Sequence, residues 1–69
     1  MTLYLLKIQG TSKIPDYVQL RDEHFTLIAY FKVNSPKKAL ERCYLEDKMD
    51  LIMGIVNGLP YGQIEKLEL

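Results

Sequence analysis

The chain has one cysteine, one histidine and no tryptophan among its 69 residues. A single thiol, Cys43, excludes a disulfide within the chain, so no covalent staple compensates for a small core. His24 is the only imidazole and lies far from Cys43 in sequence, so the spacings typical of zinc ligands are missing and no metal site is expected. A surplus of either charge is lacking as well. Nine Lys and Arg stand against nine Asp and Glu, a formal net charge of zero with His24 neutral. That balance counts against life on nucleic-acid phosphates, where a basic surplus is usual. No apolar run approaches the roughly 20 residues that cross a bilayer, so no membrane partner is expected. Leu3 to Leu6 is short, has no basic residue ahead of it and is cut by Lys7, unlike an export signal. A lone thiol without an export signal sets the expectation of a cytoplasmic protein.

What is present fits one folded unit. Hydrophobic residues make up 48% of the chain, too many for disorder, and the length accommodates a single small domain over residues 1–69. Thr2 to Gln9 alternates as a strand does, with Tyr4, Leu6 and Ile8 on one side and Leu3, Leu5, Lys7 and Gln9 on the other. Gly10 to Pro15 reads as a loop. Asp16 to Leu20 and His24 to Val33 read as the arms of a hairpin, the second with Phe25, Leu27, Ala29, Phe31 and Val33 in unbroken alternation. Matched cross-strand pairs place Val18 opposite Leu27 and Leu20 opposite Phe25.

Asn34-Ser35-Pro36 is a helix start, with Ser35 as cap and Pro36 at the first helical position. Gly58, Leu59 and Pro60 supply a left-handed cap and a stop. Between them the apolar stripe changes sides. Ala39, Leu40, Cys43 and Tyr44 share one face, and Met49, Ile52 and Val56 fall nearly opposite. Pro36–Asn57 is therefore expected to be two helices rather than one, broken between Leu45 and Lys48 with Asp47 as the second cap. Gln63–Leu69 carries strand and helix signals together, and Leu67 and Leu69 alternating with Lys66 and Glu68 favour a closing strand. The order β-β-β-α-α-β makes this an α+β fold, a small antiparallel or mixed sheet with a helical layer on one face.

No constellation of residues points to catalysis. A Cys43–His24 dyad requires the hairpin tip to meet a helix, and a cysteine among Ala39, Leu40 and Tyr44 reads more simply as a small core hydrophobe. Glu46, Asp47 and Asp50 lack the dedicated oxygen-rich loop that calcium needs. Lys37, Lys38 and Arg42 adjoin no glycine-rich phosphate cradle and read as solvated helix charges. The expectation is a protein that is not an enzyme and takes no cofactor.

The sheet's second face is the informative feature. With Phe25, Leu27, Ala29 and Phe31 toward the helices, the back carries Leu3, Leu5, Lys7, Tyr17, Arg21, Ile28, Tyr30 and Lys32, together with Thr26. One helical layer leaves that side bare, and bare apolar patches mark interaction sites. A homo-oligomer, a dimer by preference, or a complex with another protein follows as the leading expectation. The alternative is single-stranded nucleic acid on the same face, with Tyr17 and Tyr30 stacking bases while Lys7, Arg21 and Lys32 track phosphates. The acids lie largely on the helices and the turn, which would leave the sheet back locally basic. Charge neutrality and the absence of the aromatic consensus of RNA-binding sheets weigh against it.

Overall fold

The structure is a computed structural model that describes all 69 residues. Its strands are β1 (Thr2–Ile8), β2 (Tyr17–Arg21), β3 (Leu27–Lys32) and β4 (Ile64–Glu68). Helices α1 (Lys37–Arg42) and α2 (Met49–Gly58) stand between β3 and β4, linked through a 3-10 turn at Glu46–Lys48. The sheet order is β3-β2-β1-β4 and every pairing is antiparallel, so the fold is α+β with the expected element order. Gln63–Leu69 resolves in favour of a strand, with Leu3 opposite Leu67.

The core is assembled from one side of the sheet. Leu3 and Leu5 of β1, Val18 and Leu20 of β2, Phe31 of β3 and Leu67 of β4 lie under Leu40, Leu45, Ile52, Val56 and Leu59. This corrects the expected face of β1. Leu3 and Leu5 are wholly buried, and Tyr4, Leu6 and Ile8 take the back. Both parities of β1 are apolar, so its own pattern does not choose between them. The choice is made by the neighbours, because Leu5 pairs with Leu20 and Leu3 with Leu67. A one-residue slip would expose both leucines.

The β2–β3 hairpin also departs from the expected register. Val18 faces Phe31 and Leu20 faces Ala29, a displacement of four residues. The turn runs from Asp22 to Thr26, whose backbones bond to each other at 3.0 Å. Asp22 organises it, its side chain accepting from the amides of His24 and Thr26, both at 2.9 Å. Phe25 sits in the left-handed region at φ 63°, the place a glycine usually fills in a three-residue hairpin loop. This turn alone shifts the register by three, which sends Phe25 and Leu27 to the back. Arg21 accordingly pairs with Leu27. A bulge between Leu27 and Ala29 then inserts Ile28 and returns Ala29 and Phe31 to the helix side.

The helical stretch breaks as the stripe change requires, slightly earlier than expected. α1 ends in a Schellman arrangement: the Leu45 amide donates to Leu40 and the Tyr44 amide to Glu41, at 2.8 and 3.1 Å. Tyr44 holds the left-handed position at φ 59°. Leu40 and Leu45 are both buried, the apolar contact that accompanies this motif. Asp47 lies inside the 3-10 turn and caps nothing with its side chain, and Ser35 likewise makes no cap, the N-cap being Pro36. Gly58 ends α2 as a helical residue, and Gly62 is the only glycine with positive φ. Gly10 is required for close approach, since a Cβ there would lie 2.0 Å from the Ile14 carbonyl oxygen.

Candidate interaction face

Strand pairing arranges the back of the sheet in rows. One runs Tyr30–Gln19–Leu6–Ile64 across all four strands. Beside it lie Lys32–Tyr17–Ile8 and Leu27–Arg21–Tyr4–Lys66, with Thr2 and Glu68 paired beyond. Both helices pack on the opposite side, against the core leucines. Tyr30 is 64% exposed and Ile64 51%, values that belong to uncovered apolar surface rather than to a face shielded by its own side chains.

The aromatic residues of this face are organised. Tyr17 and Tyr30 lie with ring centroids 6.1 Å apart and planes at 46°. Phe25, carried over by the turn, meets Tyr4 edge to face at 5.5 Å. Arg21 covers the Phe25 ring at 4.8 Å, donates to the Phe25 carbonyl at 2.9 Å and to Gln19 Oε1 at 3.0 Å. Its Nε is buried without a partner. The polar groups in the middle of the face are thus mostly satisfied by one another.

Of the eight residues the sequence assigns to this surface, Tyr17, Arg21, Tyr30 and Lys32 are on it. Leu3 and Leu5 are core. Lys7 pairs with Val18 and so leaves on the helix side, its ammonium 5.1 Å from the centre of the Tyr61 ring. Ile28 is the bulge residue at the sheet edge, not a member of the rows. Thr26 belongs to the turn rather than to β3. The sequence reading omits Tyr4, Leu6, Ile8, Phe25 and Ile64. The signal for Tyr4 was its residue type, because an amphipathic tyrosine beside Tyr17 and Tyr30 suits a half-wet face better than a leucine does.

Around Lys7 a second cluster forms at the end of the sheet. Tyr61 donates to Asp16 Oδ2 at 2.6 Å, and the Gly10 amide donates to Asp16 Oδ1 at 2.7 Å. The Tyr61 bond, then the Gly10 bond and the Lys7 charge, hold the Asp16 carboxyl below its ordinary range. The same bond raises the Tyr61 hydroxyl.

The remaining chemistry-bearing side chains stay apart. The Cys43 thiol donates to the Ile28 carbonyl at 3.6 Å, and His24 lies at the turn against Glu23. Glu46, Asp47 and Asp50 are exposed on the 3-10 turn and the start of α2. No helix is long and apolar enough to cross a membrane. Comparison with protein families, with curated proteins and with solved structures gave no match.

Proposed function

We propose that this chain is a cytoplasmic protein-interaction module without catalytic activity, which pairs with a second copy through the uncovered face of its sheet. The observation that carries the reading is the row Tyr30–Gln19–Leu6–Ile64, flanked by Tyr4, Ile8 and Tyr17 and covered by no helix. A two-fold axis lets one such patch meet itself, the commonest closed arrangement. Two sheets packed face to face then share one dry layer, which a chain with so small a core gains from. Arg21 and Gln19 do not oppose burial strongly, because they already bond to each other and to Phe25.

The test is mass in solution by sedimentation equilibrium, with circular dichroism as the fold control. The wild type is expected to be a dimer. Tyr30→Glu and Leu6→Glu are expected to be folded monomers, since neither side chain belongs to the helix-facing core. A wild type that stays monomeric up to about 1 mM, or a dimer that both variants leave intact, ends the proposal.

The Tyr17–Tyr30 pair beside Lys32 is the one feature that favours single-stranded nucleic acid. Its electrostatic support is thin here. Lys7 is turned away, Arg21 is engaged with Phe25 and Gln19, and Lys66 is paired with Glu68 at 3.3 Å. Salt-sensitive binding of oligothymidylate, lost on Tyr30→Ala and Lys32→Ala, would put this reading first.

A further inference from the structure

β3 is one open edge of the sheet, and α1 lies alongside it. Bonding between β2 and β3 alternates, and its phase is set by the Val33 amide donating to Asp16 at 3.0 Å. Phe31 and Ala29 therefore turn their backbone groups inward, and Tyr30 turns its N–H and C=O outward. The Ile28 carbonyl is at the same outer edge, since it accepts from the Cys43 thiol at the end of α1. Between helix and edge runs an open groove of about 450 Å³, walled by Leu27, Ile28, Ala29, Ala39 and Cys43, with Arg42 at its rim.

Charge around the groove is one-sided. Lys32, Lys37, Lys38 and Arg42 stand there against one carboxylate, Glu41, in a chain that is neutral as a whole. None of the four cations is in an ion pair, both ion pairs of the structure lying elsewhere. Such an edge repels its own copy, because pairing β3 with β3 would bring lysines and arginines together. It suits a strand of opposite charge.

We propose that the groove between α1 and the outer edge of β3 takes an extended acidic segment of another protein, added to the sheet as a fifth strand. Backbone bonds to the Tyr30 N–H and C=O supply a share of the affinity that does not depend on the guest's side chains. One apolar guest side chain enters the trough between Ala29 and Ala39. A neighbouring carboxylate meets Arg42 at the rim, where a bidentate pair fixes direction along the edge. The site is separate from the sheet face on which the chain is proposed to pair with itself, so the two readings stand or fall independently.

The experiment uses the full chain and a fluorescein-labelled, end-blocked short peptide of alternating glutamate and valine, followed by anisotropy and by amide shifts of Tyr30. Saturable binding is expected. It should weaken at least about tenfold with Arg42→Glu, a fully solvated substitution, and with the matching lysine–valine peptide. It should vanish when the peptide is N-methylated at the amides that would face β3, a change that leaves its charge intact. Binding indifferent to N-methylation would mean simple charge attraction and would overturn the proposal, as would no binding up to about 1 mM. Competition between the peptide and self-association would assign the edge to a second copy and would overturn it too. Loss of self-association in Tyr30→Glu or Leu6→Glu with peptide binding retained in the monomer would instead separate the two surfaces.

Discussion

Arg21 holds Phe25 in two ways, its guanidinium lying 4.8 Å over the ring and donating to the backbone carbonyl at 2.9 Å. Both contacts act on a residue whose backbone is in the left-handed region, where a bulky side chain is disfavoured by roughly 1–2 kcal/mol. The turn chemistry at Asp22 imposes that conformation, and the contacts with Arg21 and Tyr4 offset it. The result places an aromatic ring on the uncovered face.

Phe25→Gly should therefore leave stability nearly unchanged while removing that ring. Relief of the left-handed strain offsets the lost packing, so the unfolding free energy is expected to move by less than about 1 kcal/mol in either direction. Urea unfolding followed by circular dichroism measures this. A loss of more than about 3 kcal/mol would mean that the ring is a core element rather than a surface one.

The parity of β1 gives a sharper contrast between neighbours. Leu5 is wholly buried against Leu20, so Leu5→Ala should cost about 2–5 kcal/mol, a large part of the stability of so small a domain. Leu6, on the back, should cost clearly less under the same substitution. Equal losses at Leu5 and Leu6 would contradict the observed assignment of faces.

The fold class and element order were legible because they rest on signals within single segments: alternation in β3, Pro36 and Pro60 as punctuation, and the stripe change that breaks the helix. What was not legible lies between segments. β1 is apolar on both sides, so its orientation depends on Leu20 and Leu67, which are distant in sequence. The hairpin register depends on two irregularities that offset each other, a left-handed Phe25 and a bulge at Ile28, neither marked by a glycine. Of the expected surface, Tyr17, Arg21, Tyr30 and Lys32 survive because β2 and the outer half of β3 keep their parity. Leu3, Leu5 and Lys7 leave it with the reversal of β1.

Tyr44 offers a test of the helix stop. It occupies the left-handed position after α1 with its side chain 87% exposed, so little packing is at stake. Tyr44→Gly should stabilise the protein by up to about 1 kcal/mol, the left-handed penalty less the added freedom of glycine in the unfolded chain. Chemical denaturation at neutral pH measures it. A destabilised variant would show that the Schellman geometry is not what holds Leu45 against Leu40.

The last prediction concerns pH and the bond from Tyr61 to Asp16. Asp16 binds its proton less tightly in the fold than its ordinary value of 3.8 implies, first because of Tyr61, then because of the Gly10 amide and Lys7. Its contribution to stability is therefore complete above the unfolded carboxyl's range and is lost as pH falls through the lowered folded value. Tyr61 behaves with the opposite sign. Its hydroxyl must stay protonated to donate, and the bond to Asp16 raises it above its ordinary 10.0. That contribution is complete below the unfolded tyrosine's range and is lost as pH rises through the raised value. Tyr61→Phe should remove the alkaline loss and shift the Asp16 titration upward, part of the way to its ordinary value, because Gly10 and Lys7 remain. A carbon-detected titration of the Asp16 carboxyl reads the acid side directly. Stability measured between neutral pH and about pH 11 reads the other side, where wild type and variant should converge. An Asp16 titration identical in the two proteins would mean that the 2.6 Å bond does not persist in solution, and that Lys7 and Gly10 hold the carboxylate without Tyr61.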